Sequence, residues 1–390
     1  MSTTYLDILA TKDLTGGEDT RYLAPGTQTE ADVLINALGD GTDLDVIYRE
    51  LLDITASVNA YKGGLARLLT FWTDRVAEAV PQSMNAEKFE PATEFGLPAA
   101  VGQDPSLLLG FGFGDHDLRS SFTWKYLRGA SADQVRNAFV RVLEADSNLV
   151  VGTILRRLFD PAEQIEEQWG HVVRGLWTGS DGLAPLPYLG KTFATNHTHY
   201  LASGATQIDS LDVEDCMNHV TEHGYGKQQG SQLLILANPV QSEQIQAFRA
   251  GKESRPSGPL CKFDFIPGKS APPYLTDQTI VGAAAPESFN GLEILGSYGR
   301  AWLLEHELIP VGYFAVVATG GLDSPNNPIA FREHENPSYR GMRIIPGYRT
   351  YPIIDSYFQR SFGVGTRHRG AAVCMQITSG STYTAPTINI

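Results

Sequence analysis

The chain has 390 residues, of which 42% are hydrophobic, and a formal net charge of −14 at pH 7. That length exceeds one ordinary domain and predicts two or three packing units with real cores. The acidic balance excludes a sequence-reading nucleic-acid binder, which needs a basic face, and the three scattered cysteines (Cys216, Cys261, Cys374) read as reduced thiols.

Met1 to Asp13 has no basic region followed by an apolar run, so no signal peptide is expected. Residues 1 to about 42 are polar and turn-rich, interrupted by one short helix from Glu30 to Leu38 capped by Thr29; this reads as an arm, because too few apolar residues are present to close a core. Thr42 with Asp45 opens a second helix that carries Val46, Ile47, Leu51, Leu52 and Ile54 to about Val58. Leu65 to Val80 fits a helix through Leu68, Leu69, Trp72 and Val76, and equally a bent strand through Phe71 and Thr73.

Residues 87 to 127 read as a long hairpin. Its first limb holds Phe89, Thr93 and Phe95, and Gly96-Leu97-Pro98 and Gly102-Gln103-Asp104-Pro105 mark the tip, beside Val101. The return limb alternates at Phe111 and Phe113, then at Phe122, Trp124 and Tyr126. Limbs of about 15–18 residues reach about 50–60 Å. A lone two-stranded ribbon is marginally stable in water, so this one either lies on another surface or folds back on its own chain.

Ser131 to Pro161 predicts one long helix. Ser131 caps it, Gln134 stands at the capping-box position, and Val135, Phe139, Val142, Leu143, Val150, Ile154 and Leu158 form one apolar stripe. Asp160-Pro161 stops it, and Asp146-Ser147-Asn148 breaks the stripe, which predicts a bend. Beyond it come a loop-rich stretch (Trp169 to Pro187), a helix (Asp212 to His223), a strand (Gln232 to Ala237), a helix (Ser242 to Ala250) and a Pro/Gly-rich loop (251 to 273). Strands then return at Glu293 to Leu295, Ala301 to Leu304, Gly312 to Thr319, Gly341 to Ile345 and Ala371 to Ile377. Helices and strands interleave without a βαβ repeat, so the fold class is α+β. The longest apolar stretch, Ile309 to Ala318, contains Pro310 and Gly312 and is too short to span a bilayer. Ser379 to Ile390 is Ser/Thr-rich and reads as a flexible or partner-bound tail.

Chemical motifs are weak throughout. Gly190-Lys191-Thr192 lacks the upstream glycine of a phosphate-binding loop, because Pro185 stands there. Cys216, His219 and His223 share a helix face, and His197 and His199 share one face of a possible strand, but no pattern requires the two segments to meet. Gly224-Tyr225-Gly226 precedes a strand instead of following one, and no G-x-S-x-G elbow occurs. Asp115-His116-Asp117 stands on a hairpin limb without a pocket. Arg360, Arg367 and Arg369 make the only compact basic spot, for which carboxylates are the expected neighbours. No catalytic residue, cofactor or metal is therefore assigned, and a structural or assembly role is expected.

The order of features carries a resemblance. The ribbon contains Phe89-Glu90-Pro91-Ala92-Thr93-Glu94-Phe95-Gly96, and the long helix ends in Ile154-Leu155-Arg156-Arg157-Leu158-Phe159. Near the C-terminus stand Ile309-Pro310-Val311-Gly312-Tyr313, Tyr351-Pro352-Ile353 and Phe362-Gly363-Val364-Gly365, leading through Arg367-His368-Arg369 to 371–377. Over about 86–160 and 292–378 the chain resembles the major capsid protein of tailed double-stranded-DNA bacteriophages, with the HK-ninety-seven-type capsid fold.

The resemblance implies an N-terminal arm (1–60), a peripheral domain (61–86 and 128–204, with spine helix 131–160), an extended loop (87–127), an axial domain (205–345), a peripheral return strand (346–378) and a tail (379–390). It implies self-assembly through hexamers and pentamers into an icosahedral shell, in the host cytoplasm, around double-stranded DNA held by non-specific proximity. A separate scaffolding protein, a portal and a decoration protein are the implied partners, with no membrane. The interface candidates are Phe89, Phe95, Leu97, Val101, Phe111, Phe113, Trp124, Tyr126, Arg360, Arg367 and Arg369. Some family members cross-link a loop lysine, but the tip from Leu97 to Leu109 has none, so cross-linking is not carried over. The alternatives are an encapsulin-like compartment shell and, in a different class, a metal-dependent enzyme using His197, His199, Cys216, His219 and His223.

Overall fold

A computed structural model describes residues 37–61, 63–81, 91–92, 94, 106–227, 230–268, 281–289, 292–350 and 353–390. The expected helix from Glu30 (Ala37 and Leu38 excepted), and Phe89 and Phe95 of the hairpin's first limb with Leu97 and Val101 of its tip, lie outside the described residues. The helices are α1 (Leu44–Tyr61), α2 (Gly64–Leu69), α3 (Trp124–Leu127), α4 (Ala132–Phe159), α5 (Ser210–Glu222) and α6 (Pro239–Gln246). The strands are β1 (Thr70–Thr73), β2 (Ala77–Pro81), β3 (Ser106–Gly110), β4 (Gly114–Thr123), β5 (Tyr200–Ala202), β6 (Gln232–Ala237) and β7 (Phe265–Pro267). They continue with β8 (Gly296–Tyr298), β9 (Ala301–Glu305), β10 (Tyr313–Thr319), β11 (Ile329–Glu333), β12 (Met342–Thr350), β13 (Ile353–Thr366) and β14 (Ala372–Gln376). Two further pairings, 164–165 with 172–173 and 288–289 with 292–293, are short hairpins. Among the described residues no helix is long and apolar enough to cross a membrane.

Contacts divide the chain into two units: 1–57 with 117–143 and 344–359, and 58–116 with 144–343 and 360–390. The larger unit is built on a seven-stranded sheet of order β5-β14-β10-β6-β9-β8-β7. Its two central strands, β6 and β10, run antiparallel with Ile235 opposite Val316. Successive side chains along a strand point to opposite faces, and here both faces are buried. Leu234, Leu236, Ala315 and Val317 join one apolar cluster with Val150, Ile154, Leu155 and Leu158 of α4. Leu233, Ile235, Phe314 and Val316 join the other, with Val213, Met217 and Val220 of α5 and Ile245 of α6. A strand buried on both faces reads as a continuous apolar run, as Gln232 to Ala237 does.

A second sheet has order β1-β11-β13-β12, with β4 also pairing β13. Leu65 to Val80 resolves into both of its expected forms: helix α2 turns directly into strand β1, which lies parallel to β11. Buried Asn327 ties these segments together. Its side-chain NH2 donates to the carbonyls of Thr70 (2.8 Å) and Gly321 (2.9 Å), and its oxygen accepts from the Gly320 amide at 2.9 Å. In β13 a side chain at Gly363 would meet the Gly112 carbonyl oxygen at 1.9 Å, so only glycine lets the 110–113 backbone pass.

Helix α4 runs for 28 residues, about 42 Å at 1.5 Å per residue. The predicted capping box forms half, with the Ser131 amide donating to Gln134 Oε1 at 3.0 Å. The Ala132 amide donates to Asp40 Oδ2 at 2.7 Å, and this bond, followed by those from Thr42, lowers the Asp40 carboxyl below its ordinary range. The smaller unit closes over Leu38, Ile47, Leu127, Ala132 and Val135. Arg136 clamps Glu50 of α1, and Arg119 of β4 grips Asp355 of β13 through both carboxylate oxygens.

Three sequence expectations are corrected. The helix expected at Ser242 to Ala250 begins at Pro239, because Asn238 caps it and proline suits its first turn. Strand β11 was not anticipated, and β13 fills only part of the return strand expected over 346–378. The C-terminal segment is not a free tail: Tyr383 donates to the Phe159 carbonyl at 2.7 Å, Ile388 is 3% exposed, and Arg156 donates to the Ile388 carbonyl at 3.3 Å. Truncating Ile388 to Ala is expected to cost about 2–5 kcal/mol in urea denaturation of the full chain, where an unattached tail would give no change.

Candidate assembly surfaces and a histidine cluster

The expected hairpin begins earlier than its aromatic residues suggested. Strands β2 and β3 pair antiparallel from Ala77 opposite Gly110 to Pro81 opposite Ser106. Leu109 anchors this ribbon base in a cluster with Phe71, Val80, Phe111 and Ala330. Strand alternation then turns Leu108 outward, 55% exposed.

Several interface candidates fall elsewhere. Phe111 is 0% exposed within that same cluster. Phe113 is half-buried, with the Arg332 guanidinium 4.9 Å from its ring centre. Trp124 and Tyr126 do not alternate along a strand: Thr123 accepts from the Tyr126 amide and starts the helical turn α3. Trp124 is half-buried beneath the Arg128 guanidinium at 5.0 Å, whereas Tyr126 stays exposed and stacks on Phe122 at 5.7 Å. Sequence reasoning missed Leu108, Ile165 and Trp169, the last two being 72% and 65% exposed beside or within the 164–173 hairpin. Their signal was isolated apolar residues inside the charged run from Glu163 to Trp169, too short to build a core.

The basic spot separates into three ion pairs within the chain. Arg360 binds Asp146 through Nε at 2.5 Å and Nη2 at 2.8 Å, both side chains being nearly buried. Asp146 thus interrupts the apolar stripe of α4 because it holds Arg360, and α4 continues as one helix through Asp146-Ser147-Asn148. Arg367 binds Glu78 at 3.0 Å and the Pro325 carbonyl at 2.9 Å. Arg369, 0% exposed, binds Asp181 at 2.6 Å and the carbonyls of Gly175 and Leu176, and its guanidinium carbon stands 4.1 Å from the Trp177 ring centre. Burial lowers the Arg369 pKa from its ordinary value, and Asp181 opposes that shift.

The two histidine segments do meet. His199 leads into β5, with its amide bonded to the Trp177 carbonyl and its carbonyl to the Cys374 amide, both at 2.8 Å. His223 caps the C-terminus of α5, whose start is set by a reciprocal Asp209–Asp212 capping box. His223 Nε2 lies 2.9 Å from His197 Nε2 and 3.0 Å from His199 Nε2. His219 stacks on His197 at 5.0 Å, and Phe193 stacks on His223 at 4.0 Å. Cys216 does not join them; it is buried in the apolar cluster under α5. Burial pushes His223 down to about 3 and His197 down to about 4, with neighbouring histidines adding to each shift. His199 falls well below its ordinary value, chiefly by burial.

Other motifs take ordinary roles. Tyr188 to Lys191 is a tight turn with Leu189 and Gly190 both at positive φ, and Lys191 pairs with Glu222, so no helix N-terminus faces a phosphate there. Asp115 of β4 accepts a bond from the Ser361 hydroxyl of β13.

A 28-residue helix, a sheet buried on both faces and a ribbon base that turns Leu108 outward together characterise the chain. No protein-family model and no curated protein matches the chain. Among solved structures, a chain from Mycobacterium phage Patience shares 34% identity at a TM-score of 0.68, covering 90% of this chain and 93% of that one. The capsid of an empty GTA particle (TM-score 0.45, 10% identity, 81% of this chain and 91% of that one) is a more distant likeness. So is the SrpI encapsulin complex from Synechococcus elongatus PCC 7942 (TM-score 0.43, 12% identity, 94% and 97%). The chain belongs to the major capsid proteins of tailed bacteriophages. It is a structural protein of the virion that self-assembles into the capsid shell.

Two outcomes follow from this geometry. Arg360→Met or Asp146→Leu alone is expected to cost about 3–5 kcal/mol, because each leaves a buried charge unpaired, while the double variant is expected to recover most of that loss in a denaturation cycle. The second concerns acid. The unfolded chain's histidines protonate near pH 6.5, whereas His223 and His199 stay neutral in the fold, so their stabilising effect is full above about pH 6.5 and is lost as pH falls toward the folded values. In metal-free buffer the urea midpoint should drop between about pH 7 and pH 4.5, at up to about 1.4 kcal/mol per pH unit for each of these two histidines, and His223→Gln should flatten the slope.

Proposed function

We propose that copies of the chain interlock through the β2–β3 ribbon and the segment 82–105 that joins its strands. The observation that supports this reading is the ribbon base itself, which fixes Leu109 in the chain's own core and leaves Leu108 on the outside. Burial of a leucine against a neighbour contributes about 1.5–3 kcal/mol per site, and a closed shell multiplies that contribution by symmetry. Phe89, Phe95, Leu97, Val101 and Tyr126 are the companion contacts, joined by Ile165 and Trp169. Phe111, Arg360 and Arg369 act within the subunit instead.

In this reading 1–60 is the arm, 128–204 the peripheral part with the spine helix, and 205–345 the axial part, to which strand β14 adds through its pairing with β10. The protein has no catalytic role. A separate scaffolding protein directs assembly in the host cytoplasm, and a portal and a decoration protein complete the particle. The net charge of −14 keeps DNA held by confinement rather than by tight binding.

Two variants test the proposal. A deletion of residues 97–105, which spares the paired residues of β3, and the substitution Leu108→Asp are each expected to leave a folded, soluble chain that sediments as small species. Intact shells from either variant in negative-stain electron microscopy would sink the interlocking role of the ribbon.

A further inference from the structure

We propose that His197, His199 and His223 form a structural binding site for a borderline transition-metal cation, zinc above all, which pins the 188–199 segment to the C-terminal end of α5. The argument begins with the count of hydrogen-bonding positions. An imidazole nitrogen has one in-plane position, filled by either a proton or a lone pair. His223 Nε2 faces two other ring nitrogens, at 2.9 and 3.0 Å, and can serve only one of them by a straight hydrogen bond. Three nitrogens directed at one another without enough protons to share are better satisfied by a common cation.

His199 defines its own tautomer. Its Nδ1 lies 2.6 Å from the Ala372 carbonyl oxygen. A carbonyl only accepts, so Nδ1 carries the proton and Nε2 presents a bare lone pair toward His223. A ring held by a backbone carbonyl on one nitrogen with the other free to coordinate is the usual support of a metal-binding histidine.

The spacing suits such an ion. The three ligand atoms lie within 4.8 Å of one another. Tetrahedral zinc, with bonds of about 2.0–2.1 Å, sets its nitrogens about 3.3–3.4 Å apart, so His223 needs to part from each partner by a few tenths of an ångström, while His197 and His199 start no more than 4.8 Å apart. An all-imidazole donor set suits zinc, nickel or copper and disfavours calcium and magnesium, which take oxygen. His197 is half-exposed, so the fourth corner is open to water. The charged side chains around the cluster are Lys191 and Glu222, which pair with each other, and Asp215 beside His219.

The test uses the full-length chain, stripped with a chelator, desalted and titrated with zinc chloride. The expected result is one zinc per chain by elemental analysis, a higher melting temperature reversed by chelator, and an intense tetrahedral absorption when cobalt(II) replaces zinc. His197→Gln, at a half-exposed position, should weaken zinc binding by at least about tenfold. His116→Gln, on exposed strand β4, should bind zinc as the unaltered chain does. Failure of the unaltered chain to bind zinc, a weak octahedral cobalt spectrum, or undiminished binding by His197→Gln would each overturn the site. Should His197→Gln fail to fold, the stoichiometry and cobalt spectrum of the unaltered chain decide alone.

Discussion

Burial of β6 and β10 on both faces is the constraint on which the larger unit depends. Strand alternation sends Leu234 and Leu236 to the cluster shared with α4, and Leu233 and Ile235 to the cluster shared with α5 and α6. Each buried aliphatic side chain contributes about 1.5–3 kcal/mol, and here one run of backbone serves two cores at once. The remaining elements are placed by that demand. Helix α4 covers one face with Ile154, Leu155 and Leu158, and the C-terminal segment seals its flank through Tyr383 and Ile388. Helix α5 covers the other face with Val213, Met217 and Val220. The cap of α5 then brings His223 to the edge strand, where His199 waits.

Much of this was legible in order and little in detail. The long helix, the Gln232 to Ala237 strand and the Tyr313 to Thr319 strand were plain, because an uninterrupted apolar run or a period near 3.6 survives any tertiary context. Strand β11 and the bounds of β13 were not, because their sequences mix arginine, glutamate and glycine with apolar residues. Those polar residues have tertiary partners that no local pattern displays: Arg332 reaches Glu166 and Gln168, Arg360 reaches Asp146, and Gly363 admits a crossing backbone. The same blindness turned scattered arginines into an apparent basic patch. For the histidines, Cys216 turns away into the apolar cluster and His197 and His199 precede the strand, and whether the two segments meet depends on β5 pairing with β14, a long-range fact. The ribbon was seen through its aromatics, yet its paired base is built from Ala77 to Pro81 and the leucines of β3.

The ionic arrangement explains how an acidic chain keeps arginines inside. Arg360, Arg367 and Arg369 each find a carboxylate, and Arg369 also spends its donors on the Gly175 and Leu176 carbonyls. Buried pairs of this kind add little net stability over apolar replacements, but they penalise every arrangement that leaves one member alone. They are devices of uniqueness, tying α4 to β13 and the 174–181 loop to the end of β13 in one register. A subunit that must present the same surface in every copy gains from that uniqueness more than from extra stability.

The two-residue period of β3 also bears on how such genes diverge. Insertion of a single codon between Ser106 and Gly110 would exchange the places of Leu108 and Leu109, exposing the anchor and burying the outward leucine. Single-residue gains or losses within β3 are therefore expected to be rare among related chains, because each would turn the anchor out and the outward leucine in.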